Sequence, residues 1–206
     1  TRAELSAEAI RLGRLLVALL PEPEAVGLLA LMLLTEARRA ARSDAAGDVV
    51  LLADQDRGLW DRALIVEGCA LVERALASGG AGAYSVQAAI AAVHAGSATA
   101  EATDWARIVT LYDLLARLEP TPVVELNRAV AVAMRDGPAA GLALIDAIFA
   151  GCALARYHLA HAALGVSQPR QHATHGRLAR LAAQHPERQH PHVAIRAGHA
   201  LKCGGH

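Results

Sequence analysis

Residues 105–139 read WARIVTLYDLLARLEPTPVVELNRAVAVAMRDGPA. Ile, Val, Leu and Ala recur here at helical spacing through two segments, the first closed by EPTP and the second by DGP. From Trp105 to Ala139 the chain advances 34 positions, the tetratricopeptide period. Tyr112 and Leu115 occupy packing positions of such a repeat, and Pro120 terminates its second helix. Gly137 and Leu142 fall where the next unit wants a turn glycine and a small or apolar packing residue. Only one period is clear, so the expected fold is all-α: antiparallel helical hairpins forming a degenerate tetratricopeptide-like superhelical array.

The same pattern extends in both directions. A first helix is expected over residues 4–20, stopped by the prolines of PEPEA, and a second from Pro23 to Arg42. VVLLA reads as a short extended connection. A third helix starts within DQDR and runs to Ser78, with Ile65, Cys69, Val72 and Leu76 as its apolar stripe. Others follow at Tyr84–His94, Asp104–Leu118, Pro122–Arg135, Pro138–Phe149 and Ala153–Leu164. Short connectors imply that consecutive helices pair antiparallel.

Composition supports this. The chain is 54% hydrophobic but only 3% aromatic, so its core is built from Ala, Leu and Val, and Ala and Leu favour helix. A formal net charge of zero argues against nucleic-acid binding by this segment alone. Cys69, Cys152 and Cys203 are too scattered for a disulfide framework or a CxxC metal pair, which points to a reducing cytoplasm. The apolar run VGLLALMLL is interrupted at Thr35, Glu36 and Arg38, too soon to span a membrane. The chain starts at Thr1 and carries no signal peptide, so a fragment of a longer cytoplasmic protein is expected.

Polar chemistry concentrates in DQDRGLWD, residues 54–61. As scaffold, Asp54 or Asp56 would be the N-cap of the third helix, Arg57 and Asp61 an i, i+4 pair, and Trp60 a ring buried between hairpins. As chemistry, the aspartates would bind a metal or form an acid–base pair. No histidine or second carboxylate cluster lies near them in sequence, which favours scaffold and an interface. A second constellation, Tyr84, Gln87, Ala91 and His94, shares one helix face. It could line a ligand groove together with Asp104, Trp105, Asn127 and Arg128, or serve as hydrogen-bonding residues between helices. Asp104 also reads as an N-cap. GxxxxGK[ST], HExxH, GxSxG and GxGxxG are all absent, so no catalytic residue, cofactor or metal is expected and the chain is read as a non-enzyme.

Four blocks occur in order: AEAIRLGRLLVALLPEPEAVGLLALMLLTEARRAAR, DQDRGLWDRALIVEG, YSVQAAIAAVHA and DWARIVTLYDLLARLEPTPVVELNRAVAVAMRDGPAAGLALID. Over roughly residues 4–160 this order resembles the C-terminal extension of a group of bacterial extracytoplasmic-function sigma factors. In that group a tetratricopeptide-like domain follows the two ordinary sigma regions. The group's acidic–arginine–tryptophan motif falls on Asp54, Gln55, Asp56, Arg57, Trp60 and Asp61, with Gly58 replacing its usual serine. Its other signature positions fall on Tyr84, Gln87, His94, Asp104, Trp105, Tyr112, Asn127 and Arg128. The resemblance implies a regulatory and interaction domain in transcription initiation, with RNA polymerase core or the upstream sigma regions as partner. DNA would be contacted only through sigma regions preceding Thr1, and no membrane is involved. The alternative function is a helical-repeat sensor that binds a small ligand in the polar groove.

The expected domain is residues 1–160. Residues 161–206 depart from the pattern: nine of the ten histidines lie beyond residue 157, where Glu187 is the only acid. This composition fits either an altered reading frame or a divergent, partly disordered basic tail, with adventitious rather than dedicated metal affinity at QHPH, His199, Cys203 and His206.

Overall fold

The computed structural model describes residues 2–150. The eighth helix and the histidine-rich tail expected from sequence lie outside the described residues. Seven α-helices account for most of the rest: α1 (Arg2–Leu19), α2 (Pro23–Glu36), α3 (Arg62–Ala77), α4 (Ala83–Gly96), α5 (Trp105–Leu118), α6 (Pro122–Asp136) and α7 (Pro138–Ala150). The protein is an all-α helical array, and among the described residues the only β pairing is a single bridge, Ser43–Val49. The chain divides into two compact units, Thr1–Glu119 and Pro120–His206. The helices of the 105–139 repeat, α5 and α6, fall on either side of that division.

Three helices begin with proline, at Pro23, Pro122 and Pro138. The ring presets a helical φ at a position whose N–H has no intrahelical acceptor. Thr121 accepts from Val124 N–H and caps α6, while Asp104 accepts from Arg107 N–H and caps α5 as the sequence predicts. Gly137 closes α6 with φ 99°, a conformation that glycine adopts without strain.

The first unit is organised around α2, which buries Ala25, Val26, Gly27, Leu29, Ala30, Leu31, Leu33 and Leu34 on essentially all sides. α1 packs antiparallel to it: Ile10 meets Leu29 and Leu33, and Gly13 faces Leu29 and Met32. Arg14 also reaches α3, placing Nη2 2.7 Å from Glu67 Oε2. α3 runs antiparallel to α2, with Gly68 against Leu34 and Gly80 against Pro23. α4 lies parallel to α2 rather than pairing only with its chain neighbours. At Gly27 an added Cβ would stand 2.6 Å from the backbone N of Ser85, so the two helices approach to backbone distance. In the second unit α6 and α7 form an antiparallel hairpin around Leu126, Ala129 and Ile145. There a Cβ on Gly141 would meet that of Ala133 at 2.4 Å.

Three sequence expectations are corrected. α2 stops at Glu36, not Arg42, because the Ala37 carbonyl accepts Asp61 N–H at 2.9 Å while Ala41 N–H turns back to Arg38 in a 3-10 turn. α3 begins at Arg62, not within DQDR, because residues 55–61 alternate extended backbone with a 3-10 turn at Arg57–Leu59. The buried face of α3 is Ile65, Gly68, Val72 and Ala75, with Cys69 half-buried and Leu76 exposed. Small residues face α2 because the two axes come close.

Replacing Gly27 by Ala should lower unfolding free energy by about 1–3 kcal/mol, because Ser85 backbone cannot yield as a flexible side chain would. Gly96 has no atom within 4 Å of a built Cβ, so Gly96→Ala should be neutral or slightly stabilising. Urea denaturation of the two variants checks the order.

Candidate functional site

The DQDRGLWD run is where three helix ends meet. Asp61, not Asp54 or Asp56, is the N-cap of α3: its Oδ1 accepts from Ala63 N–H at 2.9 Å and Leu64 N–H at 3.1 Å. Three aspartates have similar intrinsic capping power. The choice falls on Asp61 because Trp60, immediately before it, is only 3% exposed and fixes where the chain can enter the helix. Asp56 caps the preceding 3-10 turn through Gly58 N–H, and Asp54 is exposed.

Arg57 does not pair with Asp61. Its Nη1 donates to the backbone carbonyls of His94 and Ser97, each at 2.8 Å, closing the C-terminus of α4. These carbonyls have no intrahelical donor, and a cation there complements the helix dipole. The guanidinium lies 4.5 Å from the centroid of the Trp60 ring, and that of Arg38 lies 5.8 Å from it. Trp60 packs among Ala37, Ala41, Ile65, Ala88 and Ala95, so its indole joins α2, α3 and α4. Gln55 donates Nε2–H to Val50 carbonyl at 3.2 Å. Two buried polar atoms of this run, Gln55 Oε1 and Trp60 Nε1, have no hydrogen-bond partner.

The opposite end of α4 is secured by a residue that the sequence reading passed over. Gly82, at the N-cap, supplies no side chain. Glu24 of α2 replaces it, accepting from the N–H groups of Gly82, Tyr84 and Ser85 at 2.9, 3.0 and 3.1 Å and from Ser85 Oγ at 2.9 Å. No signal within residues 82–96 points to a carboxylate 58 positions upstream.

The candidate groove residues of α4 are spread along the helix. Tyr84 sits beside Glu24 at the start of α4, half-buried Gln87 lies one turn on, and His94 is at the other end, about 15 Å from Tyr84 along the axis. His94 joins the DQDRGLWD cluster, its ring edge-on to Trp105 at 5.3 Å. Asp104 is spent on capping. In the second unit Asn127 is exposed, and Arg128 Nη1 lies 3.9 Å from Glu125 on the same helix. Among the described residues no three His, Cys, Asp or Glu side chains assemble as a metal site, and no helix is long and apolar enough to cross a membrane.

Positive charge gathers in this joint. Arg38 is held at about 10 by burial, with the Arg42 and Arg57 charges adding to it. Burial also lowers Arg42, whose Nη2 donates to Thr35 carbonyl at 2.7 Å. His94 falls to about 4, first through burial and then through the Arg38 and Arg57 charges, so its imidazole is neutral at pH 7. Arg38 went unnoticed in sequence because EARRAAR offers several arginines and nothing to distinguish the inward one.

Residues 1–76 match the model of a family of unknown function (DUF6596), a span containing α1, α2, the DQDRGLWD joint and most of α3. The uncharacterized protein R00370 of Rhizobium meliloti (strain 1021) is 54% identical over 145 residues, covering 70% of this chain. The chain spans 34% of that relative's length. No solved structure matches the chain.

Two outcomes are expected from the joint. Trp60→Ala should cost about 3–5 kcal/mol as a buried aromatic lost from the core, and Asp61→Ala about 1 kcal/mol as a lost cap. Exposed Asp54→Ala should stay within about 0.5 kcal/mol of the parent. Chemical denaturation of the three variants gives this ranking directly. The second outcome concerns pH. The folded pKa of His94 lies below its ordinary 6.5, so its contribution is fully present above pH 6.5 and is lost as pH falls toward 4. The unfolded chain takes the proton first, at a cost to folding on the order of 2–3 kcal/mol. Melting temperature should therefore fall less between pH 7 and pH 4.5 in His94→Gln than in the parent protein.

Proposed function

We propose that this chain is a non-catalytic regulatory and interaction domain of an RNA polymerase sigma factor, acting in the cytoplasm during transcription initiation. Promoter recognition would be carried by sigma regions outside these 206 residues. The ordered sequence blocks support the family reading, as does the zero net charge, which suits a domain that leaves DNA to other regions. A tetratricopeptide-like origin for the helical array belongs to the same proposal.

The observation that carries an interaction role is the outer face of α1. Leu5, Leu12, Leu16 and Leu19 follow a 7, 4, 3 spacing on one stripe, and Leu15 and Leu20 extend it. Leu5 is 73%, Leu12 51% and Leu19 84% exposed. The helix meanwhile packs on α2 through Ile10 and Val17. A single exposed leucine is ordinary, but a continuous helical stripe of this kind marks a surface that another helix covers. In this proposal the occupant is a sigma region of the same protein. The curated relative, about three times the length of the matched segment, has room for such regions.

Leu12→Glu combined with Leu19→Glu tests the reading. Neither side chain contributes to the core, so stability of the isolated chain should change by no more than about 0.5 kcal/mol. In a protein carrying the sigma regions, the double variant should lose promoter-dependent transcription and, with the regions supplied separately, their association with this chain. Undiminished transcription and association would overturn the proposal.

A further inference from the structure

Most donors in the joint around Trp60 have an acceptor, but one group of them does not. The Arg38 guanidinium rests near the Trp60 ring and makes no side-chain hydrogen bond or ion pair among the described residues. Arg57 spends Nη1 on the end of α4, while its Nε and Nη2 have no acceptor there. Trp60 Nε1 is buried and unpartnered. Cation–π contact with an indole stabilises a guanidinium, yet it supplies no acceptor and does not cancel the repulsion between Arg38, Arg42 and Arg57. Buried cations are normally paired. Glu36, the acid nearest in sequence to Arg38, bonds to Ser6 and Arg39; its charge reaches Arg42 and that of Glu101 reaches Arg57, but neither acid forms a hydrogen bond with Arg38 or Arg57.

We propose that this joint binds a small oxyanion, a phosphate or carboxylate group gripped by Arg38 and Arg57 against the Trp60 indole. Two planar guanidinium groups match the geometry of such an anion. Binding ties α2, α3 and α4 together at the point where their ends meet, so occupancy stiffens the first unit. This inference is independent of the sigma-factor reading, since it rests on the joint and not on the α1 face.

The chain contains two tryptophans, Trp60 and Trp105. One lies under the arginines and the other edge-on to His94, so intrinsic fluorescence reports on the site with no other tryptophan contributing. The test titrates the 206-residue chain with inorganic phosphate and, separately, with malonate, at constant ionic strength set by chloride. A saturable fluorescence change with a rise in melting temperature is expected for at least one of them. Saturation by phosphate alone assigns a phosphoryl ligand, and by malonate alone a carboxylate. Arg38→Gln should weaken binding at least about tenfold, with the far-UV spectrum unchanged. Arg14→Gln, which loses only an exposed bridge to Glu67, should bind as the parent does. If Arg38→Gln fails to fold, Arg38→Lys keeps the charge, loses the planar fork and should still bind more weakly. A response that only tracks ionic strength, or one equal in the parent and the folded Arg38 variant, overturns the proposal.

Discussion

The helix α4 cannot satisfy its own ends, and the first unit is arranged around that fact. Its N-cap is glycine, and its last carbonyls face the start of a loop. Glu24 reaches in from α2 to take three backbone N–H groups, and Arg57 reaches in from the DQDRGLWD joint to donate to two carbonyls. The anion stands at the positive end and the cation at the negative end, so each cap also complements the dipole. Because both caps are borrowed, α4 is defined only when α2 and the joint are in place.

Glycine and alanine make this possible. Gly27 brings Glu24 within reach of the α4 terminus, and Gly68 lets α3 close against Leu34 from another side. A core with so few aromatics gains little from any one side chain and depends instead on close approach of backbones. Trp60 is the exception, a single large ring set where α2, α3 and α4 converge. It fills volume that small residues cannot, and its face carries the two guanidinium groups. Structural and chemical roles therefore coincide in one side chain.

The aspartates of DQDRGLWD, read in sequence as an acid–base or metal cluster against a cap, divide their duties. Asp61 caps α3, Asp56 caps a turn and Asp54 faces solvent. Arg38, Arg42 and Arg57 gather in the folded joint, and burial first, then the Arg38 and Arg57 charges, keeps the His94 imidazole neutral.

Periodicity, proline and glycine punctuation and an Ala- and Leu-rich core were sufficient to determine an all-α array, the number of helices over residues 2–150, and the cap Asp104. These are local properties: a 3.6-residue stripe, a ring that presets φ and a side chain that reaches its own helix all act within a few positions. Burial of Trp60 was likewise legible, because a large aromatic amid small apolar residues has few other places to go. Tertiary structure decided what local rules leave degenerate. Only the seating of Trp60 selected Asp61 among three equivalent aspartates. Glu24 capped α4 from 58 positions away, and the parallel pairing of α2 with α4 turned Arg38 and Arg57 toward one ring. A hydrogen bond or a charge contact depends on distance in space, and in a bundle that distance is fixed by how helices pack, which the order of residues along the chain does not contain.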